Sequence, residues 1–131
     1  MARCPTTYRL RYRRIGQLKV SIVISSRNPL LLRRCVADVR AGTAYPNYAL
    51  VIIEHGIGRG IDAVKVSYSG PFNFASMNNA GATGGEILLF LNDDVSPLVP
   101  EWLDELVVQA QRPEVGVVGP RLLYRDSACG P

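Results

Sequence analysis

The strongest constraint on the fold is a short, β-branched run that does not alternate: Val20-Ser21-Ile22-Val23-Ile24. Five residues are too few for a helix, and the lack of polar alternation predicts a strand covered on both faces. Ala49-Leu50-Val51-Ile52-Ile53 is a second such run. Ala63-Val64-Lys65-Val66-Ser67-Tyr68 and Ile87-Leu88-Leu89-Phe90-Leu91 read as the third and fourth strands. Helical patterns lie between them, and this alternation predicts an α/β fold, a mostly parallel Rossmann-like sheet flanked by helices.

The helices carry their own signals. Asn28 is placed to cap a helix with Pro29 at its first position, and Gly42 to end it. Within residues 30–41, Leu31, Cys35 and Val39 recur every four residues, which predicts one apolar face. Tyr45-Pro46-Asn47-Tyr48 reads as a turn and residues 73–82 as a second helix. A third is expected from Pro100 to about Gln111, with Trp102, Leu103, Leu106, Val107 and Ala110 on one side. Val115-Gly116-Val117-Val118 and Leu122-Leu123-Tyr124 read as late strands.

At 131 residues the chain is one domain or a piece of one. With 47% hydrophobic and 20% charged residues it has a globular composition, which excludes a disordered or collagen-like chain. No apolar run approaches the roughly 18–20 residues that span a bilayer, and the first residues lack the apolar stretch of a secretory signal. Cys4, Cys35 and Cys129 form no metal-ligand spacing and are an odd number for a disulfide framework, so reduced cysteines and a cytoplasmic location are expected.

The net charge of +4 is unevenly spread. Ten of the 15 basic residues lie within residues 1–40, against one acid, Asp38. Residues 1–18 therefore read as a basic N-terminal extension, residues 19–126 as the folded domain and 127–131 as a tail. The extension is either a solvated leader or a contact for an anionic membrane surface at the inner face. No zinc, stacking-aromatic or helix-turn-helix pattern accompanies the charge, so nucleic acid is not an expected partner.

In open α/β sheets ligands bind beyond the carboxyl ends of the strands. Three such ends are polar here: Ser25-Ser26-Arg27-Asn28, Glu54-His55-Gly56 and Asn92-Asp93-Asp94. Adjacent carboxylates at a strand end repel unless neutralised, and hard oxygen ligands suit Mg²⁺ or Mn²⁺. An Asx turn ahead of Pro97 explains the same pair equally well. Gly56, Gly58 and Gly60 match neither a dinucleotide fingerprint nor a P-loop and read as a turn. His55, the lone histidine, excludes a His-rich zinc site, and Cys35 reads as core.

These segments together resemble family 2 glycosyltransferases, which have the GT-A type fold. Residues 20–28 are similar to that family's opening V-S-I-I-I-P-T-x-N, and Tyr45-Pro46-Asn47-Tyr48 with Leu50-Val51-Ile52-Ile53-Glu54 to its Y-P-N-Y-E-I-V-V-V-D. Phe72-Asn73-Phe74-Ala75, Asn78-Asn79-Ala80-Gly81 and Gly85-Glu86 resemble a stretch common in bacterial surface-polysaccharide members. Leu89-Phe90-Leu91-Asn92-Asp93-Asp94 falls at the D-x-D position, and the resemblance extends over about residues 19–125 in collinear order.

The resemblance implies a nucleotide-sugar donor site formed by Ser26, Asn28, Glu54, Asn79, Asn92 and Asp93, with Asp94 holding Mg²⁺ or Mn²⁺ against the diphosphate. It implies transfer to a glycan or lipid-linked acceptor; a non-catalytic nucleotide-binding or interaction module of the same fold is the alternative. The sequence departs from the family at Ser25, Glu54, His55-Gly56-Ile57 and Asn92. It also ends where the family continues into an acceptor half with the catalytic base. The chain is therefore expected to be the donor-binding half, with an apolar sheet edge open to self-association.

Overall fold

A computed structural model describes residues 10–54 and 60–124. The elements follow one another as β1 (Val20–Ser25), α1 (Pro29–Ala41), β2 (Tyr48–Glu54), β3 (Val64–Ser67), α2 (Phe74–Gly81), β4 (Ile87–Leu91) and α3 (Trp102–Ala110). The strands form one sheet in the order β3-β2-β1-β4, with every pairing parallel. The α/β expectation holds, and β1 is buried along its whole length.

The two sheet faces hold separate cores because strand side chains alternate. Val20, Ile22, Ile24, Leu50 and Ile52 pack with Leu32, Cys35, Val36 and Val39 of α1 and Leu103 and Val107 of α3. Val23, Val51 and Ile53 face the other way, against Met77 of α2. The α1 stripe differs from the expectation at one position: Leu32 and Val36 are buried, while Leu31 is exposed. α2 lies close to the sheet because residue 81 is glycine; a methyl group there would fall onto Val23 Cγ1 and Ile53 Cδ1. α2 packs on β1 and β2, which leaves Leu88 and Phe90 of edge strand β4 exposed on that face.

Helix ends follow the sequence signals. Asn28 Oδ1 accepts from the backbone N–H of Leu30 and Leu31 at 3.0 and 3.2 Å, and the Gly42 N–H donates to Asp38 O at 2.8 Å. Asn73 caps α2 by accepting from the Ser76 N–H at 3.0 Å. α3 begins at Trp102 rather than Pro100, with its indole N–H donating to Thr43 Oγ1 at 3.0 Å.

The late strands expected at 115–118 and 122–124 do not form. β propensity acts through packing against neighbours, and Val117, Leu122 and Tyr124 are exposed. The described part of the basic extension is docked rather than free. Arg14 forms an ion pair with Asp104 at 2.5 Å. Ile15 and Gln111 exchange two hydrogen bonds, at 3.0 and 2.6 Å. The Arg112 guanidinium lies 4.4 Å from the Tyr12 ring centre.

Candidate functional site

The strand order dictates where a site can form. From β1 the chain moves outward through β2 to β3, then returns across β1 to β4. α1 and α2 consequently lie on opposite faces, and the strand order reverses between the neighbouring strands β1 and β4. Such a switch point leaves a crevice, the usual ligand position in open α/β sheets.

Ser26 and Asp93 meet there. Ser26 Oγ donates a hydrogen bond to Asp93 Oδ2 and accepts one from the Asn28 N–H at 3.0 Å. One hydroxyl thus joins the end of β1, the start of α1 and the acidic loop after β4. Asp94 is exposed and makes no hydrogen bond or ion pair among the described residues. Asn92 is exposed too, and its carbonyl accepts from Cys35 Sγ at 3.5 Å. Burial pushes the Cys35 thiol up to about 11, and the carboxylates of Asp93, Asp38 and Asp94 add to the effect. Negative potential therefore converges beside this loop.

The other expected residues have different environments. Glu54 closes β2 and pairs with Lys65 Nζ at 3.7 Å. Asn28 has its side-chain oxygen committed to the α1 cap. Asn79 is exposed on α2, whereas its neighbour Asn78 is buried and accepts from Ser25 Oγ at 2.9 Å. This Ser25–Asn78 bond is absent from the sequence expectations. Its signal was the spacing of Met77, Asn78 and Gly81, which share the buried side of α2. Also unanticipated is Arg27, whose guanidinium lies 4.8 Å from the centre of the half-exposed Phe72 ring. His55 and Gly56 lie outside the described residues.

No group of three or more His, Cys, Asp or Glu side chains arranged for a metal occurs among the described residues. The donor set that is present, two adjacent hard carboxylates, fits Mg²⁺ or Mn²⁺. Such cations are commonly held by one or two carboxylates, with substrate phosphates and water completing the shell. A groove of about 630 Å³ beside Arg40, Tyr48, Asp62 and Val64 lies against the start of β2, away from these strand ends.

The fold is similar to a mannosyltransferase from Pyrobaculum calidifontis solved in complex with GDP-Man and Mn²⁺. The TM-score is 0.70 at 14% identity, over 86% of this chain and 38% of that one. This is a glycosyltransferase fold of the GT-A type. The GT-A-type chain is also 42% identical, over 93% of its length, to the O-antigen biosynthesis protein RfbC of Myxococcus xanthus. It is 35% identical over the same share to the uncharacterized protein y4gI of Sinorhizobium fredii. It spans 11% and 15% of the length of these two relatives. No protein-family model matches it. Sequence and fold comparisons thus bear out the resemblance to glycosyltransferases of bacterial polysaccharide synthesis. No helix among the described residues is long and apolar enough to cross a membrane.

Proposed function

We propose that this chain is the donor-binding part of a glycosyltransferase in bacterial surface-polysaccharide synthesis, taking a nucleotide-sugar at the switch point between β1 and β4. The observation that carries the reading is the pair of adjacent carboxylates there, one engaged by Ser26 and the other, Asp94, exposed and without a hydrogen bond or ion pair among the described residues. Similarity to the O-antigen biosynthesis protein supports the polysaccharide context, and the mannosyltransferase bound to GDP-Man and Mn²⁺ supports a donor with a divalent cation.

In this reading Asp94 would hold Mg²⁺ or Mn²⁺, and the bound cation would supply Lewis-acid neutralisation of diphosphate charge. Ser26 and Asp93 present a hydroxyl and a carboxylate to the nucleotide, and Asn92 offers its amide beside them. Asn28 fixes the start of α1, where backbone N–H groups and the helix dipole favour a phosphate. Glu54 at the end of β2 and Asn79 on α2 bound the nucleotide pocket. The acceptor is a glycan or lipid-linked hydroxyl compound, and the exposed Arg11 and Arg13 of the leader meet anionic lipid at a membrane surface. Titration with nucleoside diphosphates, with and without Mn²⁺, tests the donor site. Binding that strengthens with Mn²⁺ and depends on Asp94 supports it; absence of binding refutes it.

A further inference from the structure

The connection from β4 to α3 is laid along α1 in an ordered series of contacts. Cys35 Sγ donates to Asn92 O at 3.5 Å. Three residues further along α1, Asp38 Oδ2 accepts from Ser96 Oγ at 2.5 Å. Four residues beyond that, Gly42 receives the Pro97 ring: a methyl group on Gly42 would meet Pro97 Cβ at 3.2 Å and the Asp38 carbonyl at 2.9 Å. Past the helix end, the Ala44 N–H donates to Pro100 O at 2.9 Å and Trp102 Nε1 to Thr43 Oγ1 at 3.0 Å.

Positions 35, 38 and 42 are three and four residues apart, so they form one stripe of the helix. Asp93 and Asp94 lie between the first two fixing points, and Ser26 holds Asp93 from the β1 side. The loop is therefore tied before and after Asp94, while the Asp94 carboxylate itself is exposed and makes no hydrogen bond or ion pair among the described residues. A ligand-bearing loop that is already ordered does not lose that freedom again on binding, which is the general gain from preorganisation.

We propose that this stripe of α1 is the template that fixes Asp94, with Asp38, Ser96 and Gly42 as positioning residues for the cation site. The inference rests on the reading of Asp94 as the cation ligand. Asp38 serves through its acceptor oxygen, steadied on its own helix by Arg34 at 3.8 Å. Gly42 serves through the absence of a side chain, which lets Pro97 close on the end of α1.

The test compares the full chain with Ser96→Ala, Ser96→Thr and Gly42→Ala. Calorimetric titration with GDP and UDP, with and without Mn²⁺, is paired with amide hydrogen exchange over residues 93–95. Supporting contacts behind a metal ligand are typically worth about 10–100-fold in metal affinity. Ser96→Ala is expected to lower the Mn²⁺-dependent affinity about tenfold, leave metal-free affinity unchanged and speed loop exchange. Ser96→Thr keeps the hydroxyl and is expected to restore all three, and Gly42→Ala to reproduce the loss through Pro97. Equal losses with and without Mn²⁺, or unchanged exchange in Ser96→Ala, would overturn the template. A wild-type chain whose binding ignores Mn²⁺ contradicts the reading of Asp94 itself, and loop exchange then still decides whether the stripe holds the loop.

Discussion

Ser26 Oγ donates its proton to Asp93 Oδ2 across the ends of β1 and β4, the neighbouring strands between which the strand order reverses. The same oxygen accepts from the Asn28 N–H at 3.0 Å. Hydrogen bonds to charged groups contribute about 1.5–3 kcal/mol when formed between protein groups, and this one is partly buried. Ser26→Ala is expected to lower unfolding free energy by about 1–2 kcal/mol. Ser26→Thr retains the donor and is expected to recover most of it. Urea denaturation of the three proteins checks the order, and a Ser26→Ala protein as stable as wild type would show that Asp93 is held by other means.

The thiol of Cys35 gives a pH dependence with a definite sign. Its pKa rises from 9.0 to about 11 because the folded site is dry and lies beside three carboxylates. Between those values the folded chain holds a proton that the unfolded chain releases, so stability falls with rising pH. The contribution is fully present below about pH 9 and is lost by about pH 11. Tyr45, raised chiefly by burial, acts in the same direction. The Cys35 share is therefore the difference between wild type and Cys35→Ala in denaturation midpoints across pH 8–11. Parallel curves would contradict the assignment.

The basic leader should be separable from donor binding. It docks on α3 through Arg14 and Ile15, and it joins β1 at the end opposite Ser26. A six-residue strand places these ends about 20 Å apart. Deleting residues 1–14 is expected to leave nucleoside diphosphate affinity unchanged and to weaken association with anionic vesicles in a salt-sensitive manner. A tenfold loss of nucleotide affinity would place the leader over the site instead.

Much of the architecture is legible because it rests on local chemistry. Continuous apolar runs mark strands covered on both faces, and Asn28-Pro29 marks a helix start whose cap forms as expected. Tertiary neighbours decide the remainder. Val115–Val118 and Leu122–Tyr124 have strand-like composition, but no paired strand beside them in the described residues. One residue turns a helix by about 100°, which is why Leu32 rather than Leu31 is buried and why Asn78 points inward beside exposed Asn79. The Asp38–Ser96 bond spans 58 residues and carries no local signature.

The measurement closest to the central claim is calorimetric titration of wild type and Asp94→Ala with GDP and UDP, in the presence and absence of Mn²⁺. Asp94 is exposed, so its removal should leave the fold intact. Losing a charged partner in the site corresponds to about 1–3 kcal/mol, or roughly 5- to 150-fold in affinity. The expected result is wild-type binding strengthened by Mn²⁺ and an Asp94→Ala protein that binds no better with Mn²⁺ than without. Equal Mn²⁺ enhancement in both proteins would contradict the account.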